Sequence, residues 1–120
     1  MSQPPNNQLF DVYFTAPAMR QIFCDHGRVQ GMLDFEAALA RAQARVGVIP
    51  GSAVASIQAA CKAEQYDFQA LAQAIASAGN SAIPLVKMLG KVIATTDAGA
   101  ERYVHLGATS QDVMDTGLVL

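Results

Sequence analysis

The sequence predicts an all-α fold, and three observations lead to this prediction. Apolar residues recur at steps of three and four along residues 28–46, the spacing that places them on one face of a helix. Proline and glycine stand where helices of this kind begin and end. The alternation of apolar and polar residues that marks strands is weak along all 120 residues. A helical domain is therefore expected.

The longest predicted helix covers residues 28–46 and carries two apolar stripes. The second stripe is mostly alanine, and such small side chains let a neighbouring helix approach closely. Two stripes on one helix indicate that it packs inside a layered helical assembly. The first stripe is formed by Met32, Phe35, Leu39, Ala42 and Val46, and the second by Leu33, Ala37, Ala40 and Ala44.

Shorter helices are predicted on either side from their capping residues. A first one begins at Pro17, whose missing N–H costs nothing in a first turn, and ends near residues 25–27. Gly27 is expected to adopt a positive φ at that end. Residues 97–108 are predicted to be a loop. The remaining helices are predicted to run from the cap Ser52 to about residue 62, from the cap Asp67 to Ser77, from the cap Ser81 to about Thr95, and from Thr109 or Ser110 onward.

Three segments are predicted along the chain: a flexible segment at residues 1–8, an N-terminal helical domain at residues 9–108, and the start of a further helix at residues 109–120. The last four residues, GLVL, include no basic residue and no polar tail. Hydrophobic residues make up 52% of the chain and charged residues 15%, below the roughly 25% of an average domain. We therefore expect the front part of a longer polypeptide, which buries apolar surface against further sequence or other chains.

Composition argues against several classes of function. Eight Lys and Arg against ten Asp and Glu give a net charge of -2, which leaves no basic stripe for nucleic acid. The start MSQPPNNQLF lacks the basic and apolar regions of a signal peptide, and polar residues interrupt the uncharged run 68–86, so no membrane partner is expected. Cys24 and Cys61 stand far apart, which suits neither a zinc site nor a disulfide framework. A cytoplasmic protein without a metal is expected.

A capped helix start is predicted within residues 103–112, YVHLGATSQD. Gly107 allows the chain to approach the helix closely, and Thr109 or Ser110 can be the N-cap. Asp112 then lies at the third helical position, where its carboxylate can complete a capping box. This motif is the strongest candidate for a functional site.

The chemistry of that helix start suits a negatively charged ligand. The first N–H groups of a helix are unpaired and lie at the positive end of its dipole. With the hydroxyls of Thr109 and Ser110, the amide of Gln111 and the imidazole of His105, they would form a set of donors for a carboxylate. The alternative is an ordinary capped helix in which His105 only bonds to the loop.

A second candidate site is the helix start at residues 79–81, Gly-Asn-Ser. The amide of Asn80 can be offered to a substrate carboxylate, or it can simply cap the helix. The sequence leaves both interpretations open.

Residues 105–116, HLGATSQDVMDT, resemble the first signature of the fumarase/aspartase superfamily, in the branch that contains adenylosuccinate lyase. The signature of that branch is HxGxTSxDxxxT. The stretches FEAALA at residues 35–40 and GVIP at residues 47–50 are similar to the N-terminal domain of the same branch. The resemblance implies the N-terminal helical domain of the fumarase/aspartase fold, leading into the first helix of the central helical bundle.

Two departures from the purine-pathway lyases of this branch bear on the substrate. Those lyases carry an Arg-Tyr pair, which holds a nucleotide phosphate, where this chain has Tyr13 and Phe14. They carry His-Asp where this chain has Asn80 and Ser81. Because an arginine fork gives bidentate phosphate recognition, its loss favours a small polycarboxylate over a nucleotide. The run GNSAIPLVK is similar to the cycloisomerases of the branch.

The resemblance to these cycloisomerases implies an activity in the protocatechuate branch of aromatic catabolism, the beta-ketoadipate pathway. The enzyme would close 3-carboxy-cis,cis-muconate to a carboxymuconolactone by adding an internal carboxylate across a C=C bond. No metal or organic cofactor is implied. The implied assembly is a homotetramer whose active sites combine segments from several subunits.

The resemblance also implies roles for the residues that match the signature. His105 is the candidate catalytic residue, and Gly107 and Asp112 support the loop. The general acid and base are expected beyond Leu120, so the 120-residue chain alone is expected to be inactive. Two alternatives remain: another lyase of the superfamily, similar to adenylosuccinate lyase, or a helical oligomerisation module without chemistry. The candidate substrate-binding residues are Asn80, Ser81, Thr109, Ser110 and Gln111.

Overall fold

The structure is a computed structural model that describes residues 8–120. The described residues form α-helices and short 3₁₀ turns without any strand, which confirms the all-α prediction. The predicted flexible segment at residues 1–8 lies outside them, except for Gln8, which begins the first helix. The helices are α1 (Gln8–Asp11), α2 (Pro17–Phe23), α3 (Asp25–Arg45), α4 (Val54–Ala60), α5 (Phe68–Ala78), α6 (Ala82–Thr96) and α7 (Ser110–Val119), and the 3₁₀ turns are Gly51–Ala53, Ala63–Gln65 and Glu101–Tyr103.

Helix α3 is the central element, and its alanine-rich stripe faces the core. Leu33, Ala37 and Ala40 are buried, whereas the stripe of larger residues turns progressively outward until Val46 is 73% exposed. The small stripe is the buried one because other helices pack closely against it. The same buried core also contains Ile57 of α4, Leu85, Leu89 and Ile93 of α6, and Val113 of α7.

The N-terminus of α3 differs from the prediction. The helix begins at Asp25 rather than near residue 28, and Cys24 is its N-cap, with its sulfur accepting a bond from the Gly27 N–H. The expected positive φ at Gly27 is wrong, because this glycine lies within the first turn of the helix. Glycine is needed there for space: a Cβ atom would lie 2.2 Å from the carbonyl oxygen of Ile22 at the end of α2.

Other predicted helix ends were partly right. Asp67 caps α5 as predicted, its carboxylate accepting from two N–H groups at 3.0 and 3.1 Å. Ser52 does not cap α4, because it lies inside a 3₁₀ turn and the helix begins two residues later. Gly79 ends α5 with a left-handed φ of 65°. None of the described helices combines the length and the apolarity that a membrane span requires.

Helices α3 and α7 make the most extensive helix–helix contact, and two glycines allow it. A Cβ atom on Gly31 would lie 2.6 Å from the carbonyl oxygen of Gly117, and one on Gly117 would lie 3.0 Å from the backbone nitrogen of Met32. The two backbones therefore touch directly. This contact fixes α7, and with it the helix start that carries the signature motif, against the central helix.

The substitution Gly31→Ala should destabilise the protein by about 1–3 kcal/mol, the usual cost of forcing extra atoms into a packed contact. The clash with a backbone carbonyl should outweigh the roughly 1 kcal/mol that alanine gains over glycine inside a helix. Urea denaturation measures the difference. Gly51→Ala is the control, because a Cβ atom there meets nothing within 4 Å. Equal stability of the two variants would show that α3 and α7 do not touch at Gly31.

Candidate functional site

The signature loop, residues 104–109, leads from the last 3₁₀ turn into α7 and is sharply bent. Two of its residues have a positive φ: Gly107 at 76° and His105 at 58°. Histidine carries a Cβ atom, so this left-handed backbone is strained and must be held by other contacts. The N–H of Ala108 donates to the carbonyl of His105 at 3.3 Å and closes the turn.

The start of α7 has the predicted capping box between Thr109 and Asp112. One oxygen of Asp112 accepts from the Thr109 N–H at 2.9 Å and from its hydroxyl at 3.2 Å. The hydroxyl hydrogen of Thr109 is therefore engaged within the cap. The hydroxyl of Ser110, which is half-buried, makes no hydrogen bond to any described residue. Ser110 thus offers a free donor beside the N–H groups of the first turn.

Two side chains of α3, seven residues apart on the same face, hold the signature loop. The amide nitrogen of Gln43 donates to the carbonyl oxygen of Leu106 at 2.6 Å. The Nδ1 atom of His105 lies 2.5 Å from Oε1 of Glu36. Both contacts join positions more than sixty residues apart in the sequence. The loop is therefore shaped by the central helix as well as by its own residues.

Glu36 is the residue that sequence reasoning missed. Its side chain is 1% exposed, and its second oxygen, Oε2, has no hydrogen-bond partner among the described residues. Burial raises the pKa of this carboxyl, while the hydrogen bond and the charge of His105 act in the opposite direction. A signal was available: Glu36 is a lone carboxylate beside Leu33, Ala37 and Ala40 on the buried stripe of α3.

The second candidate site is capped by Asn80 rather than by Ser81. Asn80 Oδ1 accepts from the N–H groups of Ala82 and Ile83 at 2.8 and 3.0 Å, and this leaves its NH₂ group free to donate. The prediction that Ser81 caps α6 is wrong. Its backbone is already helical, at φ -83° and ψ -30°, whereas a capping side chain normally stands on extended backbone.

Only some of the predicted site residues line a cavity of about 520 Å³. Ser81 and Gln111 line it, together with residues of α2, α3 and α7 that include His26 and Asp115. The amide of Gln111 donates to Asp115 at 2.6 Å. The residues that line the cavity do not include the other candidates, which are His105, Thr109, Ser110 and Asn80. The structure thus brings Ser81 and Gln111 together at one cavity, whereas His105 lies at the signature loop and does not line that cavity.

Within residues 8–120, no three His, Cys, Asp or Glu side chains are grouped so that they could hold a metal ion. The polar groups at the signature loop and the start of α7 are instead the imidazole of His105, the hydroxyls of Thr109 and Ser110, and backbone N–H groups. Apart from the carboxyl groups of Glu36 and Asp112, these groups can donate hydrogen bonds. Such a set can hold the oxygen atoms of a carboxylate.

An all-helical domain with this signature loop and capped helix start is the architecture of a lyase-type enzyme domain. A family model described as Lyase matches residues 11–120, so the chain belongs to this lyase family.

Two curated relatives are similar to this chain over nearly its whole length. The chain is 78% identical over 114 residues to a 3-carboxy-cis,cis-muconate cycloisomerase of Pseudomonas putida, covering 95% of this chain and 27% of the relative. It is 71% identical over 120 residues to the cycloisomerase of the same name from Pseudomonas aeruginosa, covering all of this chain and 26% of the relative.

A crystal structure of the 3-carboxy-cis,cis-muconate lactonizing enzyme from Pseudomonas putida superposes with a TM-score of 0.91 at 78% identity. The superposition covers 94% of this chain and 26% of that one. The chain therefore spans about a quarter of the length of the curated relatives that it matches.

The substitution Gln43→Met should loosen the signature loop while it keeps the side-chain volume. Losing one hydrogen bond worth about 1 kcal/mol should speed exchange of the Ala108 N–H, which closes the loop, roughly 5-fold. Hydrogen-exchange mass spectrometry of the loop peptide measures this. Gln73→Met, an exposed position on α5, is the control. If both variants exchange at the rate of the parent protein, Gln43 does not hold the loop.

Proposed function

We propose that this chain forms the N-terminal quarter of a 3-carboxy-cis,cis-muconate cycloisomerase. The observation that carries the proposal is 78% and 71% identity, over almost the whole chain, to proteins of that name. The signature loop supports it independently, since it gathers carboxylate-binding donors where a tricarboxylic substrate would need them.

The proposed reaction is an isomerisation, because the proton that the attacking carboxyl group gives up to solvent is matched by the proton that a substrate carbon receives. An oxygen of one substrate carboxylate forms a bond to a carbon of the C=C bond. The electron pair of that double bond moves to the neighbouring carbon, which takes a proton. During the addition, negative charge moves from the attacking carboxylate to the carbon that takes the proton and to the carboxylate conjugated with it, so fixed donors around that carboxylate lower the barrier.

The residues at the start of α7 are proposed to bind those carboxylates. The free hydroxyl of Ser110 and the first N–H groups of the helix would hold one carboxylate at the positive end of the helix dipole. Gln111 and Thr109 would adjust their present bonds to Asp115 and Asp112 when substrate binds. Asn80 would donate with its free NH₂ group, and Ser81 would line the pocket. His105 would act on the substrate through Nε2, and Gly107 and Asp112 would keep the loop in shape.

The complete enzyme is proposed to be a homotetramer with active sites shared between subunits. Support comes from large apolar side chains that the described residues leave exposed, such as Phe14 at 77%, Ile22 at 53% and Phe23 at 51%. Residues 9–108 would form the N-terminal domain, and residues 109–120 would begin a helix of the central bundle. The chain alone would be inactive. Two free cysteines, Cys24 and Cys61, suit the reducing cytoplasm, the proposed location.

A helical oligomerisation module without chemistry is the less favoured alternative. A scaffold gains nothing from a buried carboxylate paired with an imidazole, since such pairs are often replaced by apolar residues without loss of stability. The strained backbone of His105 adds a further cost that a scaffold has no reason to keep.

The activity is tested with the full-length enzyme and 3-carboxy-cis,cis-muconate. The absorbance of the conjugated diene should be lost while a lactone accumulates and no fumarate is released. Release of fumarate from a succinyl compound, with no turnover of the muconate, would instead assign another lyase activity.

The substitution Ser110→Ala in the full-length enzyme should lower kcat/KM for the muconate roughly 10- to 100-fold, the loss of one hydrogen bond to a charged group. Stability should change by less than about 1 kcal/mol, because Thr109 rather than Ser110 is the N-cap. Steady-state kinetics and urea denaturation measure the two effects. Ser77→Ala, at an exposed position on α5, is the control. Unchanged kinetics in Ser110→Ala would remove this hydroxyl from the binding site.

A further inference from the structure

The buried pair of Glu36 and His105 has a cost that the fold alone does not explain. Glu36 is almost fully enclosed, one of its oxygens has no partner among residues 8–120, and His105 is held in a left-handed backbone conformation to reach the other. Buried unpaired oxygen atoms and strained backbone both reduce stability. Features of this kind concentrate where a site needs a fixed geometry.

The protons on the pair follow from its burial. Together the two side chains carry either a net charge of -1, with an ionised carboxylate and a neutral imidazole, or no net charge. Burying an uncompensated charge is far more costly than burying a neutral pair. The unpartnered Oε2 of Glu36 disfavours any ionised form of this carboxyl, so it adds to the case for the arrangement in which Glu36 keeps its proton. The pair is therefore expected to be neutral overall.

If the pair is neutral overall, the Nε2 atom of His105 must carry a hydrogen. In one neutral arrangement the shared proton lies on Nδ1, and the imidazolium carries N–H groups at both nitrogens. In the other the proton lies on Oε1 of Glu36, which donates to Nδ1, and the single ring proton is on Nε2. Nε2 thus carries a hydrogen in both arrangements. It never offers a lone pair.

We propose that Glu36 is a positioning residue that keeps His105 as an N–H donor at Nε2, turned toward a carboxylate of the substrate. The direction of the ring follows from the contact of Nδ1 with Glu36, which leaves Nε2 on the opposite edge of a side chain that is 19% exposed. The carboxylate nature of the ligand rests on the proposed function; the donor state of Nε2 does not.

Nitrogen NMR of the full-length enzyme without substrate tests the donor state directly. With the His105 signals assigned by comparison with His105→Asn, Nε2 should be protonated at neutral pH in the parent protein. In Glu36→Gln there is no carboxyl group to share a proton with, so Nε2 need not be protonated. A population of neutral His105 with its proton on Nδ1 alone should then appear. An unprotonated Nε2 in the parent protein would overturn the proposal, and this result needs no variant of Glu36 to fold.

Kinetics test the action of Glu36 through His105. Glu36→Gln should raise KM for the muconate roughly 10- to 100-fold, the value of one charge-assisted hydrogen bond, with kcat less affected. In a His105→Asn background the same substitution should add almost nothing, because its effect is transmitted by the imidazole. An equal effect in both backgrounds would make Glu36 a structural residue only. Glu64→Gln, whose side chain is 66% exposed, is the control.

The two proposals can fail separately. If the parent enzyme does not turn over the muconate but Nε2 is protonated, the proposed function is wrong and the donor state of His105 stands. If the enzyme is active and Nε2 is unprotonated, the function stands and the role of Glu36 is wrong.

Discussion

The contact between the central helix and the signature loop is the interaction on which the rest of the site depends. Helix α3 reaches the loop with Glu36 and Gln43, and these two contacts hold a turn that the local sequence does not favour. Without them His105 would relax from its left-handed conformation, because only the surroundings sustain strain of this kind. The longest described helix therefore also shapes the signature loop.

The features that depend on nearby residues could be predicted from the sequence. The all-α class, the capping box of Thr109 and Asp112, and the cap at Asp67 each follow from spacing within one or two turns. The pairing of Glu36 with His105 joins positions 69 residues apart and leaves no local pattern. The predicted caps at Ser52 and Ser81 were wrong for two reasons. Ser52 lies inside a 3₁₀ turn, and the side chain of Asn80 caps α6 in place of Ser81.

The buried stripe of α3 illustrates how packing decides between two plausible faces. Both stripes have helical spacing, but the alanine-rich one is the buried one. Gly31, where α7 touches α3, lies away from it, beside Met32 of the other stripe. A larger residue at Gly31 or Gly117 would hold α7 away from α3, and the signature loop leads directly into α7. Small side chains along the central helix are thus a requirement of the site as well as of the core.

The contact of Gly31 with Gly117 lies near one end of α7, and the donors proposed to bind a carboxylate lie at the other. Ser110 lies roughly 10 Å along α7 from Gly117, at 1.5 Å per residue. A tilt of α7 by about 5° about Gly117 would therefore move the donors by about 1 Å, a displacement large enough to change a rate substantially. Any group that packs against the exposed Leu118 and Val119, just beyond Gly117, thus affects the alignment of the start of α7.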